Sequence, residues 1–383
     1  MIAFDYQPIT RMVFGPGKLE SLGELARESG GRRALVVSDP GVIAAGHTAR
    51  GVAALERAGL ATAVFQEVRE NPTTAEVDVG VEMARHFAPD LIVGFGGGSS
   101  MDCAKGINFL LTNGGRMQDY WGVGKARLPM LPMIAVPTTA GTGSESQSFA
   151  LISDAQTHVK MACGDKKAAF RIALLDPVLT VTQPPRVTAL TGIDAIAHAL
   201  ESYVTTKRNA ASLAFSREAW QLLAPSFLQV LREPQDLEAR SGMQLGACFA
   251  GLAIENSMLG ATHALANPLT AEFGLPHGQA IGLMLPHVIR YNGQTVGDQY
   301  QELLDATGGG GGFPVPASGV EGLVEFVAGL VTAAQLPTRL RDCQVPRERL
   351  AKLAEFAAKQ WTGTFNPRPV GVPELLAIYE QAY

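Results

Sequence analysis

At 383 residues the chain is longer than one hydrophobic core usually supports, so two domains are expected. Apolar residues at 46% and charged residues at 17% suit a well-buried globular enzyme and leave too little charge for extensive disorder. A net charge of −5, with no run of Lys or Arg, excludes the electrostatic footprint of a nucleic-acid or anionic-membrane binder and leaves small-molecule chemistry.

The start, "MIAFDYQPITRMVFGPG", has neither a basic n-region nor an apolar h-region, and no apolar run approaches the roughly 20 residues of a membrane span. Cys103, Cys163, Cys248 and Cys343 show no CxxC pairing and are too sparse for a disulfide framework, so reduced thiols in a cytoplasm are expected.

In chain order, "RRALVVSD" (32–39), "ATAVFQEV" (61–68), "DLIVGFGGGSS" (90–100) and "PMIAVPTT" (132–139) are short apolar runs separated by helical patterns. Runs of this kind predict a parallel sheet covered on both faces, a doubly wound α/β layout. After "ALLDPVLTVTQPP" (173–185) the pattern turns to long helical period, as in "VTALTGIDAIAHALESYV" and "SREAWQLLAPSFLQVLRE". The prediction is a doubly wound α/β domain over 1–183 and an all-α helical domain over 184–383, with Pro184-Pro185 as the hinge. The stretch "GGGGGFPVPASG" from 308 reads as an exposed, flexible loop.

Two glycine loops follow predicted strands. In "GFGGGSSMDCAKG" (94–106), Gly96, Gly97 and Gly98 let the backbone approach a ligand, and the helix start behind them offers free N–H groups and a positive dipole end to a pyrophosphate. Ser99 with Asp102 three residues on also matches a capping box, so part of the pattern is explained by helix chemistry alone. The loop is neither GxGxxG nor a P-loop. "PTTAGTGSES" (137–146) offers small hydroxyls and glycines to phosphate, ribose or amide, or is an ordinary polar turn. Asp39, ending the first strand in "VVSDPG", is placed to accept from a ribose 2′-OH and repel a 2′-phosphate, which favours NAD(H) over NADP(H). An Asp before Pro-Gly is also a common turn former.

In "TGIDAIAHALESY", Asp194 and His198 stand at i and i+4 on one helix face, the spacing chelation requires. His263 and His277 lie 14 residues apart in "GATHALANPLTAEFGLPHG", both beside small residues. One carboxylate and three imidazoles make a donor set for a divalent Fe, Zn, Co or Ni ion. His47, His86, His158 and His287 lack such company and read as packing or solvent-facing. Phe149 after the second loop, with Ile254, Met258 and Leu259 on one apolar helix leading to His263, is expected to shape an apolar substrate pocket, although a core role suits Met258 equally.

"GGGSSMDCAK", "PTTAGTGSE", "DAIAHALESY" and "HALANPLTAEFGLPHG" occur in the order and at roughly the spacing seen in iron-containing (group III) alcohol dehydrogenases, and the resemblance runs from "FGPGKLESLGE" to "NPRPV". It implies a Rossmann-like NAD(P) domain, a helical metal domain, and an active site in the cleft between them. Carried over by position, Asp194, His198, His263 and His277 hold one divalent metal, Fe2+ with Zn2+ as the substitute. Gly96, Gly97, Gly98, Ser99, Asp102, Thr138, Thr139, Thr142 and Lys160 line the cofactor, with Leu179 near the adenosine end. Many members carry a relay histidine where this chain has Asn267, and an amide cannot shuttle a proton near neutral pH. Either a ribose hydroxyl with water moves the proton, or the substrate is not a simple primary alcohol.

The expected reaction is hydride transfer between an alcohol and an aldehyde or ketone, assisted by the metal. The alternatives are a maleylacetate reductase-like enzyme, which would be expected to lose the metal ligands, a dehydroquinate synthase-like non-redox enzyme, and a non-enzymatic binding module. A homodimer or larger homo-oligomer is expected.

Overall fold

The computed structural model describes residues 3–307 and 318–383, so the glycine-rich stretch 308–319 lies outside the described residues, apart from its closing Ser318-Gly319. The strands are β1 (Arg11–Phe14), β2 (Arg33–Ser38), β3 (Ala61–Phe65), β4 (Leu91–Gly96), β5 (Gly122–Val123), β6 (Met133–Pro137), β7 (Phe149–Ser153), β8 (Lys160–Gly164) and β9 (Ile172–Leu175). Six of them form one sheet in the order β1-β9-β6-β4-β2-β3, with every pairing parallel.

Side-chain alternation explains why these runs are apolar throughout. Leu35 and Val37 of β2 point into a core with the helices Thr74–Phe87 and Gly98–Asn113, through Val77, Val81, Met101 and Ile107. Their neighbours Ala34 and Val36 point the other way, onto Leu22, Leu25, Ala54 and Leu55. A strand buried on both faces keeps no polar side. The four strand runs expected from sequence are present; β1, β9 and a separate three-stranded sheet, β5-β8-β7, are additional. From β2 the chain steps outward to β3, then crosses back to β4 on the far side of β2. This reversal puts a topological switch point between the C-terminal ends of β2 and β4, where α/β sheets bind ligands.

The chain divides into two compact units. The α/β unit comprises Gln7–Thr139 and Gly143–Gln183; the helical unit comprises Pro184–Tyr383 together with Ala140–Thr142 and the described residues up to Tyr6. Pro185 is the first residue of the helix Pro185–Val204, where its fixed φ and missing N–H cost nothing. The helical core is built largely on that helix with Ala210–Arg232, Leu237–Glu255 and His277–Asp305. One expectation needs correction: no single apolar helix runs from Ile254 to His263. The helix Leu237–Glu255 stops and another begins at Ala261. The side chains of Asn256 and Ser257 turn back onto the carbonyls of Leu252 and Ala253, which terminates the first helix and leaves Met258 and Leu259 in the linker.

Candidate metal centre and dinucleotide loop

Asp194 sits in the middle of Pro185–Val204, 5% exposed, with His198 one turn on. His263 lies in the first turn of the helix Ala261–Phe273, and His277 is the first residue of His277–Asp305. Gly278 allows the last of these to close in, because a Cβ there would stand 2.0 Å from the Leu190 carbonyl oxygen, one turn before Asp194. The result is convergent. The Nε2 atoms of His198, His263 and His277 stand 3.4, 3.5 and 3.5 Å from the same oxygen, Asp194 Oδ1.

These separations are long for hydrogen bonds. They match the edge of a coordination shell, since four ligands about 2.1 Å from one ion at tetrahedral angles stand about 3.4 Å apart. Asp194 Oδ1 and His263 Nε2 are buried and have no hydrogen-bond partner, a costly state that a cation would relieve. The ligand atoms of Asp194, His263 and His277 all lie within 4.8 Å of one another, and His198 joins them through Asp194. The donor set therefore fits a divalent first-row ion.

The other ring nitrogens fix which atom faces the centre. His198 Nδ1 donates to the Gly141 carbonyl at 3.3 Å, and His263 Nδ1 donates to Glu201 Oε2 at 2.6 Å, so both rings offer Nε2 inward. Burial lowers the pKa of His198. Burial alone would lower His263 too, but the carboxylates of Asp194 and Glu201 outweigh it and hold the ring at about 9. Burial would raise the Asp194 carboxyl, yet the three imidazoles, His198 foremost, hold it well below the usual carboxylate range.

Sequence reasoning missed Glu201. Its signal was available, because it lies three residues after His198 and seven after Asp194, on the same helix face. The remaining histidines are apart from the centre: His47 is buried against Thr182, His86 and His158 are exposed, and His287 is half-buried.

At the switch point Gly96 adopts φ +147, and a Cβ on it would meet Ser100 Oγ at 2.4 Å and Asp39 Oδ2 at 2.8 Å. Only glycine suits that position. The helix Gly98–Asn113 starts after Gly97 with no side-chain cap, so the capping box read from Ser99 and Asp102 does not form. Ser99 Oγ instead accepts from the Asn71 amide at 3.2 Å. Asp102 is drawn inward, accepting from Ser144 Oγ at 2.7 Å, because the buried Lys105 amine gathers Ser144 and the Phe149 carbonyl beside it.

Asp39 caps the short helix Pro40–Ala44 through Gly41 and Val42 and accepts from Ser100 Oγ at 3.1 Å. Thr138 donates its amide to Gly96, and Thr139 and Thr142 are half-buried. Lys160, exposed on β8, reaches the Asn71 side chain at 3.3 Å. Leu179 is 1% exposed in the core and has almost no surface to offer a ligand. Phe149 packs its ring against Gly164, Ile254 is buried, and Leu259 is half-buried. Asn267 donates its side-chain amide to Gln360 at 3.0 Å.

The family model of iron-containing alcohol dehydrogenase matches residues 9–177, and that of the Fe-containing alcohol dehydrogenase C-terminal region matches 188–383. The chain belongs to the iron-containing alcohol dehydrogenase family. It is 34% identical to Alcohol dehydrogenase 4 of Schizosaccharomyces pombe, over 97% of this chain and 87% of that one. A crystal structure of 1,3-propanediol oxidoreductase superposes with a TM-score of 0.95 at 32% identity, covering 100% of both chains. A sulfoacetaldehyde reductase from Bifidobacterium kashiwanohense in complex with NAD+ gives 0.90 at 27%, covering 100% of this chain and 99% of that one. This iron-containing alcohol dehydrogenase is accordingly a metal-dependent, NAD-linked oxidoreductase of alcohols and carbonyl compounds. No helix among its described residues is long and apolar enough to cross a membrane.

Proposed function

We propose that Asp194, His198, His263 and His277 hold one divalent ion, Fe2+ by preference with Zn2+ able to replace it, and that NAD(H) lies along Gly96-Gly97-Gly98-Ser99 with Asp39 toward the ribose. The observation that carries the metal assignment is the meeting of three imidazole nitrogens on one buried, unpartnered carboxylate oxygen. When bound, the ion polarises the substrate oxygen while the nicotinamide takes or gives hydride at the same carbon.

The chain's own residues prepare that exchange. Glycines and uncapped helix amides receive the pyrophosphate. Thr138, Thr139, Thr142 and Lys160 line the cofactor, while Asp102 and Lys105 brace the second loop from behind. Alcohol oxidation releases a proton, and Asn267 cannot take it. The amide at 267, whose NH2 donates to Gln360, would instead orient a hydroxyl or carbonyl of a polar substrate, and the proton would need another acceptor.

A small hydroxylated or otherwise polar alcohol–aldehyde pair is favoured over a plain alkanol, with Leu259 and, less directly, Phe149 and Ile254 supplying apolar contact. Relatives named for 1,3-propanediol and sulfoacetaldehyde support that class. The domain division at 183/184 is proposed as the functional one, the α/β part for cofactor and the helical part for metal. The enzyme is proposed to be cytoplasmic, as its four free cysteines suit a reducing compartment. It is proposed to form a homodimer or larger oligomer. β1 stands last in the sheet order and carries the exposed Phe14, which a second copy would cover.

The deciding experiment is metal analysis of anaerobically purified protein joined to an NADH-coupled screen of diols, hydroxyaldehydes and simple alcohols. About one ion per chain with turnover favouring the polar substrates is expected. Metal-free protein with full turnover would overturn the assignment.

A further inference from the structure

Glu201 is 3% exposed, and neither of its oxygens faces solvent or the metal centre. Oε2 accepts from His263 Nδ1 at 2.6 Å and Oε1 accepts from the Thr262 amide at 2.7 Å. That amide belongs to the first turn of the helix Ala261–Phe273, which starts at Gly260 with no side-chain cap of its own. The preceding amide, Ala261 N, is taken by Asn366 Oδ1 at 3.1 Å, so two residues remote in sequence cap this helix from outside. Gly260 makes room for both, since a Cβ there would stand 3.0 Å from Asn366 Oδ1 and 3.1 Å from Glu201 Oε1. One carboxylate thus grips the helix start and the ring that the helix carries. Lying at a helix N-terminus, it is also favoured in its charged form.

We propose that Glu201 is a positioning residue for the metal centre: by accepting at both oxygens it fixes His263 to its own helix start, engages Nδ1, and so leaves Nε2 as the ring atom turned toward Asp194 and available to an ion. The inference rests on the metal reading given above. A backbone N–H and a ring N–H both need an acceptor, and only a carboxylate accepts at both ends. Glutamine has the same shape but accepts at one end only. With its oxygen on the Thr262 amide, its NH2 faces the ring, which must then accept at Nδ1 and carry its proton on Nε2, where ligation is blocked.

The test measures Co2+ dissociation constants of the metal-free full chain, by competition with a chromophoric chelator, for wild type, Glu201→Gln and Asn366→Ala. Glu201→Gln is expected to weaken Co2+ about 10- to 100-fold. Asn366→Ala, which removes a cap from the same helix start without touching the ring, is expected to leave the affinity as in wild type. A second readout needs no variant: the Zn2+-loaded wild type is expected to show a far-downfield, slowly exchanging Nδ1 proton of His263. Wild-type affinity in Glu201→Gln, equal weakening in both variants, or absence of that proton would overturn the proposal. Wild-type chain that takes up no Co2+ would instead overturn the metal reading itself.

Discussion

The two halves of the molecule prepare for their ligands by opposite means. In the α/β unit the groups proposed to meet the cofactor are mostly backbone: glycines, the uncapped first turn of Gly98–Asn113, and Gly96 held at positive φ beside Asp39. In the helical unit they are side chains alone, four of them from three helices, aimed at one point, with Asp194 Oδ1 and His263 Nε2 buried and unpartnered. A backbone cradle depends on what is absent, so adding an atom harms it. A side-chain centre depends on what is present, so removing one harms it. The second also carries a cost, because Asp194 Oδ1 and His263 Nε2 are buried without a partner, which a bound cation would offset.

The largest effect is expected where a ligand is removed. His263→Ala should leave metal content far below one per chain, with turnover down at least about 10²-fold in parallel, since the lost assistance is several kcal/mol. Metal analysis and NADH-coupled rates check this, and stoichiometric metal with normal rates would break the contrast between the halves. Asn267→His comes next. Restoring a titratable ring is expected to preserve metal content and to raise turnover of small primary alcohols or change its pH profile, with general acid–base gains of up to roughly 10²-fold at stake. If Asn267 orients a polar substrate, the same change costs about 1–3 kcal/mol on that substrate. Comparing kcat against pH for both forms on one plain alcohol and one diol separates the two roles, and identical behaviour on both would remove position 267 from the reaction.

Gly96→Ala tests the cradle by addition. The new Cβ and the positive φ should cost about 1–3 kcal/mol in urea unfolding and raise the KM for NAD(H), while metal content stays unchanged. A loss of metal in this variant would show the two halves to be coupled. The smallest structural effect belongs to Asp39→Gly, because an Asp-to-Gly change at an N-cap costs only a few tenths of a kcal/mol. Its effect on specificity is therefore readable without a folding correction. NAD(H) is expected to be preferred by the unmodified enzyme, with the gap to NADP(H) narrowing in the variant. Equal use of NADPH by the unmodified chain would remove Asp39 from cofactor choice.

What the sequence determined by itself is whatever short-range geometry decides. Asp194 and His198 share a face because a helix repeats every 3.6 residues, and β2 and β4 are buried strands because their apolar runs lack a polar side. The same short-range logic failed where a distant partner outbid the local one. Asp102 binds Ser144 and Lys105 instead of capping its own helix, and Asn256 and Ser257 end a helix that apolar pattern alone would have continued. Only the tertiary structure decided that His263 and His277 approach Asp194 Oδ1, and for His277 that approach depends on Gly278 pressing against Leu190. Only it joined Glu201 to His263, 62 residues away, although the helix face already pointed there. The physical reason is one of range: backbone sterics and periodicity act over a few residues, whereas the burial cost of an unpartnered polar atom is met by whichever group the packing brings near.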